Sequence, residues 1–170
     1  MHISDFVTGL AHPVSGADHI LAMVAIGLWG ALAGGRALLV WPVSFVAMIL
    51  VGFAAAIFGV QAPLVQPAIA SSIVVLGLFI ALAVRAPIWL GALIVGLFAF
   101  FHGHAHGTEA LTAGVELVTY ASGFSLTTAA LHAAGLGAGL IVARSAGEPL
   151  LRATGGLVAV SGLALMAGLA

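Results

Sequence analysis

The fold is decided by an apolar run that ends in histidines, and residues 87–109 read PIWLGALIVGLFAFFHGHAHGTE. On an α-helix at ~100° per residue, offsets of four and seven return close to the starting direction. His102, His106 and Glu109 therefore share one stripe, while His104 points to the opposite side. Two imidazoles and a carboxylate suit a divalent cation such as nickel, cobalt, copper or zinc. The alternative, a histidine-rich helix end at a wet interface, is weaker because ionisable groups at membrane depth are costly.

The composition excludes a water-soluble protein. Apolar residues make up 63% of the 170 residues, against four arginines, no lysine and five acids. The apolar residues come in runs of about 20, the length that spans ~30 Å of hydrocarbon. We therefore expect a single transmembrane transport domain over residues 1–170, an all-α polytopic membrane protein whose partner is the lipid bilayer. No basic cluster suggests nucleic acid, and without cysteine any metal site must use nitrogen and oxygen ligands.

The hydrophobic runs predict a bundle of six transmembrane helices, with boundaries good to a few residues. The predicted spans cover residues 12–33, 37–60, 67–84, 87–107, 118–143 and 150–169. Pro13 falls in the first turn of the first span, where a helix tolerates proline best. We expect Met1 to Ala11 to lie outside the membrane and Glu109 to Leu117 to form a loop.

The charges predict the orientation of the bundle. Four arginines fall in the loops after spans one, three and five, or just beyond: Arg36, Arg85, Arg144 and Arg152. Positive loops are typically cytoplasmic, so both termini and the histidine-rich end should be outside, in the periplasm. Acids collect toward that outer side: Asp5, Asp18, Glu109 and Glu116. Trp29, Trp41 and Trp89 fall near the predicted cytoplasmic span ends, which is typical of an interfacial aromatic belt.

A second ligand cluster opens the first span, where residues 12–19 read HPVSGADH. On a continuous helix, the offset of seven puts His12 and His19 on one stripe about 10 Å apart along the axis. Asp18 lies beside them, and Gly16 either lets the helix loosen or only aids packing.

The inferred topology places the two clusters at the same depth on the same side. If their helices are neighbours, up to four imidazoles and two carboxylates surround one outward-facing funnel. That number of ligands favours a pathway of successive weak sites over one closed structural site. His132, near the middle of the fifth span, is either a deeper way-station or a histidine bonded to a neighbouring helix.

The two motifs together resemble the signatures of the HupE/UreJ family of hydrogenase and urease accessory nickel permeases. HPVSGADH fits a pattern of His, five residues, Asp-His, and FHGHAHGTE fits Phe-His-Gly-any-Ala-His-Gly-any-Glu. The resemblance implies a bacterial inner-membrane secondary transporter, not an enzyme, whose cargo is Ni²⁺ or else Co²⁺, Cu²⁺ or Zn²⁺. Carried over by position, its metal residues are His12, Asp18, His19, His102, His106 and Glu109. His2, His104 and His132 are candidates for secondary contacts, His2 as the terminal residue if a signal peptide is removed.

The rival interpretation is an intramembrane zinc-dependent hydrolase, which needs a three-ligand site with an open position and a lipid-accessible cleft. No nucleophile or hydrolase motif accompanies the histidines. A metal sensor or assembly partner is a third interpretation, disfavoured by the short loops. The residues leave the preferred metal, the coupling ion, carrier or channel behaviour and the oligomeric state open.

Overall fold

The computed structural model describes residues 3–169, which form seven α-helices and no strand. The helices are α1 (Ile3–Ser15), α2 (Ala17–Ala33), α3 (Ala37–Ile57), α4 (Val65–Ala81), α5 (Ile88–Ala113), α6 (Leu117–Ser145) and α7 (Gly147–Met166). The prediction of an all-α fold is confirmed. His2 lies outside the described residues, so its predicted role stays a prediction.

Helix length and composition mark the structure as a membrane protein. Four helices, α3, α5, α6 and α7, are long and apolar enough to cross a bilayer. The pair α1 and α2 meets the same criteria together, but the two are bent by 78° relative to each other. The remaining helix, α4, is apolar and has 17 residues. The six-span count and the orientation of the termini stay predictions.

Helix α2 lies at the centre of the bundle, where it contacts α1, α3, α4, α6 and α7. Its side chains are buried on every face from Ala25 to Leu32, as expected for a helix that is hydrophobic all round. The most extensive pairings are α3 with α5, α4 with α7, and α6 with both α1 and α2. Helix α2 therefore connects the α3–α5 pair, the α4–α7 pair and the α1–α6 pair.

Glycines allow these helix pairs to approach closely. A Cβ on Gly103 of α5 would overlap the Ile49 carbonyl oxygen, and one on Gly52 of α3 would overlap that of Phe100. Small residues favour such contacts because lipid supplies no hydrophobic force between helices. Four helix contacts have a glycine of each helix against the backbone of the other: Gly52 and Gly103, Gly27 and Gly135, Gly77 and Gly155, and Gly9 and Gly123. Backbone contact thus fixes the distance between the helices that carry the histidines and their neighbours.

The predicted aromatic belt is wrong for two of the three tryptophans. Trp29 and Trp41 are fully buried and stacked, with ring centroids 4.1 Å apart. Their indole N–H groups donate to the carbonyls of Val84 (2.8 Å), in the connection from α4 to α5, and Ile88 (3.1 Å), at the start of α5. A buried indole N–H needs such an acceptor, so these two rings tie helices together. Trp89 alone of the three is exposed.

Charges of the predicted cytoplasmic loops meet at the same end of the bundle as the tryptophans. Arg85 Nη2 lies 3.1 Å from Glu148 Oε2, joining the α4–α5 connection to α7. Arg152 donates from Nε to the carbonyl of Ala81 at 2.8 Å. These contacts bring two of the four arginines together at this end, and they add an acid, Glu148, there.

Two helix boundaries differ from the prediction. Residues 3–15 form a helix because α1 has α6 to pack on, with Gly9 against the Tyr120 carbonyl. Pro13 consequently lies in the last turn of α1 and not in the first turn of a span. Helix α5 continues to Ala113 and ends at Gly114, whose φ of 66° is the left-handed conformation that favours glycine. The predicted loop from Glu109 is therefore wrong in its first half.

Helix α6 begins with a carboxylate cap. Glu116 accepts hydrogen bonds from the backbone N–H groups of Thr119 (2.8 Å) and Val118 (3.1 Å). Hydrogen bonding from Thr119, and then from Val118, lowers the pKa of Glu116 because it favours the ionised form. The cap is therefore complete above the ordinary carboxyl pKa, and its contribution is lost as the pH falls through the lowered value.

The glycine contacts predict a large difference between two neighbouring positions of α7. A Cβ on Gly155 would lie 2.5 Å from the Ala81 backbone nitrogen, whereas one on Gly156 would meet nothing within 4 Å. We expect Gly155→Ala to lower the free energy of unfolding in detergent by about 1–3 kcal/mol through overpacking, and Gly156→Ala to leave it nearly unchanged. Equal thermal unfolding midpoints for the two variants would contradict the close packing of α4 on α7.

Candidate metal centre

The site begins with a break in the helix at Gly16. This residue is the N-cap of α2 with φ −112° and ψ 126°, an extended conformation between two helices bent by 78°. The helix therefore loosens at Gly16, and the straight stripe with 10 Å between His12 and His19 is wrong. Their ring centroids lie only 5.8 Å apart, because the bend turns His12 back over the start of α2.

Gly16 also leaves room for a contact beside it. A Cβ at this position would lie 2.5 Å from Asp18 Oδ1 and 3.1 Å from His19 Nδ1. Those two atoms are themselves 2.8 Å apart, and the same Asp18 oxygen accepts from the His19 backbone N–H at 2.9 Å. The missing side chain at residue 16 thus accommodates the carboxylate that orients His19.

Four imidazoles from the two predicted clusters meet at one end of the bundle. The ring centroid of His106 lies 4.7 Å from that of His12 and 5.0 Å from that of His19. His102 lies 5.3 Å from His19. His12, His19 and His106 each offer a nitrogen such that the three atoms lie within 4.8 Å of one another. This spacing lets one ion draw three ligands from α1, α2 and α5.

Hydrogen bonds set the tautomers of two of these rings. The carboxylate of Asp18 and the carbonyl of Phe98 only accept, so His19 and His102 each donate through Nδ1–H, at 2.8 and 2.9 Å. Each ring is left with a bare Nε2, which is buried and has no hydrogen-bond partner within residues 3–169. Metal-binding histidines commonly have this arrangement, in which a carboxylate or carbonyl holds the nitrogen opposite the ligating one. The residues therefore fit a transition-metal ion.

His106 is the most enclosed member of the cluster. Its side chain is fully buried, and neither ring nitrogen has a hydrogen-bond partner in the described part of the chain. The ring stacks on Phe124 of α6, with centroids 4.6 Å apart and planes 7° from parallel. Phe124 was not singled out from the sequence, because an aromatic residue on an apolar helix is usually ordinary packing. Its flat face sets the orientation of the His106 ring.

The outer rim of the cluster is wetter and carries a second carboxylate. Glu109 Oε2 lies 2.7 Å from His12 Nε2, and the two side chains are 47% and 25% exposed. Glu109 lines one surface depression, Asp18 lines another, and Gln66 of α4 lines both. The rim thus carries two partly exposed carboxylates beside the buried imidazoles.

The other two histidines of the described chain lie apart from this cluster. His104 Nε2 donates to the Val60 carbonyl at 2.7 Å, so its ring links α5 to the α3–α4 connection on the side opposite the cluster. His132 lies deeper, on α6, and is separated from His102 by the ring of Phe45. The expected direction of His104 is observed, and its hydrogen bond gives it a structural contact.

The fold and the site define a class, a helical membrane protein whose buried imidazoles and flanking carboxylates suit a transition-metal ion. The chain belongs to the HupE/UreJ family, since the profile described as HupE / UreJ protein matches residues 1–165. Protein HupE of Rhizobium leguminosarum bv. viciae is 40% identical over 168 residues, which cover 99% of this chain and 87% of that protein. No solved structure matches the chain. The family consists of membrane proteins of metal transport and not of enzymes, and it does not support the hydrolase interpretation.

The Asp18–His19 contact predicts the effect of a change that removes one charge. In Asp18→Asn, the amide lacks the negative charge that attracts a cation, and its oxygen accepts only a weaker hydrogen bond from His19 Nδ1–H. We expect the Ni²⁺ affinity of the purified protein, measured by isothermal titration calorimetry in detergent, to fall roughly 10–100-fold. Glu148→Gln, which breaks the ion pair with Arg85 at the other end, is the control and should bind as the wild type does. Unchanged affinity of Asp18→Asn would remove this carboxylate from the site.

Proposed function

We propose that this chain is a secondary transporter, a permease that takes up divalent transition-metal ions, nickel first among them, across the bacterial inner membrane. The observation that carries the proposal is the convergence of His12, His19, His102 and His106, whose helices begin far apart in the sequence. Buried imidazole nitrogens without partners are costly, and a cation that accepts their lone pairs offsets that cost. Asp18 and Glu109 complete the proposed ligand set.

The ligand chemistry supports a borderline divalent cation. Imidazole nitrogen suits nickel, cobalt, copper and zinc, and the chain has no cysteine that would favour softer ions. Two carboxylates at the partly exposed rim bring two negative charges, which balance the charge of one divalent ion. The cluster therefore offers ligands that can replace the water molecules around such an ion one after another.

The exposed fraction of the ligand side chains decreases toward the interior, which suggests the direction in which the metal ion moves. Glu109 and His12 are partly exposed, His19 is 7% exposed, and His102 and His106 are fully buried. An ion captured at the rim can exchange water for carboxylate and then for imidazole as it moves inward. Several weak sites in series allow both capture and release, which one tight site would prevent.

The proposed topology has six spans, with both termini and the cluster on the periplasmic side. In this arrangement α1 and α2 form one broken span, and the short helix α4 is also a span. The arginines gathered near Ala81 and Glu148 support a cytoplasmic location for the other end. Broken helices that carry ligands at the interruption are a recurring feature of secondary transporters.

Uptake into proteoliposomes tests the proposal. The purified protein is reconstituted into vesicles that enclose a nickel-sensitive fluorophore, and Ni²⁺ is added outside. We expect the wild type to give a saturable signal and His106→Gln to lower the initial rate about tenfold or more, because it removes a central imidazole.

His104→Gln is the matched control, since His104 is a buried histidine on the same helix with its nitrogen bonded to Val60. It should transport close to the wild-type rate. Wild-type vesicles no faster than protein-free vesicles would overturn the permease, and full activity of His106→Gln would overturn its ligand site.

A further inference from the structure

A second imidazole without a partner lies deeper in the bundle than the cluster. His132 of α6 is 1% exposed, and neither Nδ1 nor Nε2 has a hydrogen-bond partner anywhere in residues 3–169. A structural histidine at this depth normally bonds to a neighbouring helix, because an unpaired buried polar group is destabilising. The usual explanation for a lone buried histidine therefore does not apply to His132.

Two hydroxyl groups share the face of α6 that carries His132. Thr128 and Ser125 precede it by four and seven residues, which places all three on one helical stripe. Thr128 Oγ1 and Ser125 Oγ are also buried and without a partner in the described chain. The stripe is thus a line of unpaired polar atoms that extends from the level of Phe124, beside His106, toward the middle of the span.

The groove beside His132 offers its imidazole no polar group. His132 lies at the floor of a groove between α3 and α6 whose other lining residues, such as Pro42, Val46 and Ala133, are apolar. The ring that contacts His132 from α3 belongs to Phe45, which is fully buried. The groove and Phe45 therefore hold the imidazole in place without occupying its nitrogens.

One phenyl ring separates this stripe from the metal-binding cluster. The centroid of Phe45 lies 5.5 Å from that of His102 and 4.9 Å from that of His132, with edge-on geometry on both sides. The bare Nε2 of His102 and the unpaired nitrogens of His132 thus belong to rings that contact the same phenyl group. Phe45 is therefore the side chain that lies between the two imidazoles.

We propose that His132 is a second, inner binding station for the transported divalent cation, which it receives from His102 past Phe45. The inference rests on the proposed permease function and adds a site to it. The imidazole supplies the nitrogen ligand, and the hydroxyl of Thr128 one turn away supplies a weak oxygen ligand. A single nitrogen holds the ion loosely, which is what rapid onward release requires.

The test separates binding at the cluster from passage through the bundle. His132→Leu keeps a comparable apolar volume and removes both nitrogens. We expect Ni²⁺ affinity by titration calorimetry to stay within about twofold of the wild type, because the cluster is intact, while uptake into proteoliposomes falls about tenfold or more. Uptake by His132→Leu at the wild-type rate would overturn the inner station.

A second variant guards against a simple packing defect. His132→Gln keeps a polar side chain but offers an amide, which binds nickel poorly, so the same split between retained binding and lost uptake is expected. Loss of binding and uptake together in both variants would make His132 part of the cluster or of the scaffold, and would contradict a separate station. Failure of the permease itself is recognised independently, because the wild type would then take up no Ni²⁺, whether or not it binds the ion.

Discussion

The site depends on one break in the backbone, where α1 ends and α2 begins at Gly16. Without the 78° bend, the two histidines that flank it would lie along one stripe and could not both reach the same ion. With the bend, His12 turns back toward His19, and both rings lie within about 5 Å of His106. The absence of a side chain at residue 16 leaves room for the Asp18–His19 contact beside the bend. A small residue thus determines the geometry of a large polar cluster.

The second requirement is that α5 presents its histidines inward while it packs tightly elsewhere. The glycines of FHGHAHGTE serve this purpose, since Gly103 and Gly107 both face the backbone of α3. His102 and His106 directly precede these two glycines. They therefore lie about 100° around the helix from them and face the cluster. Alternation of small and imidazole side chains therefore combines a packing face and a ligand face in two turns. The residues FHGHAHGTE thus place the glycines that contact α3 and the histidines of the cluster at the same level of α5.

Much of the site could be predicted from the sequence because its periodicity is local. The stripe of His102, His106 and Glu109 follows from helical offsets alone, and the opposite direction of His104 follows from the same offsets. The charge pattern placed the two clusters on one side of the bundle, where the structure brings them together. Membership of the HupE/UreJ family, suggested by the two motifs, is confirmed over nearly the whole chain.

Other features depend on contacts between distant segments, and these were missed. The helix at residues 3–15 packs on α6, more than a hundred residues away. Its apolar residues Ile3, Phe6, Val7 and Leu10 do have the spacing of an amphipathic helix, and the prediction did not use that signal. Trp29 and Trp41 occupy positions typical of a belt, yet carbonyls on another helix connection make them core residues. Phe124 and Phe45 touch imidazoles only because of the tertiary packing. An apolar helix contains too many similar residues for periodicity to distinguish these two.

The most direct measurement is a nickel-edge anomalous difference map from crystals of the protein soaked with Ni²⁺. The convergence of the two clusters predicts a peak within coordination distance of at least one histidine from residues 12–19 and at least one from residues 102–106, with His104 uninvolved. A peak held by His104 alone, or ligand clusters that lie on different sides of the bundle with no peak between them, would contradict the site.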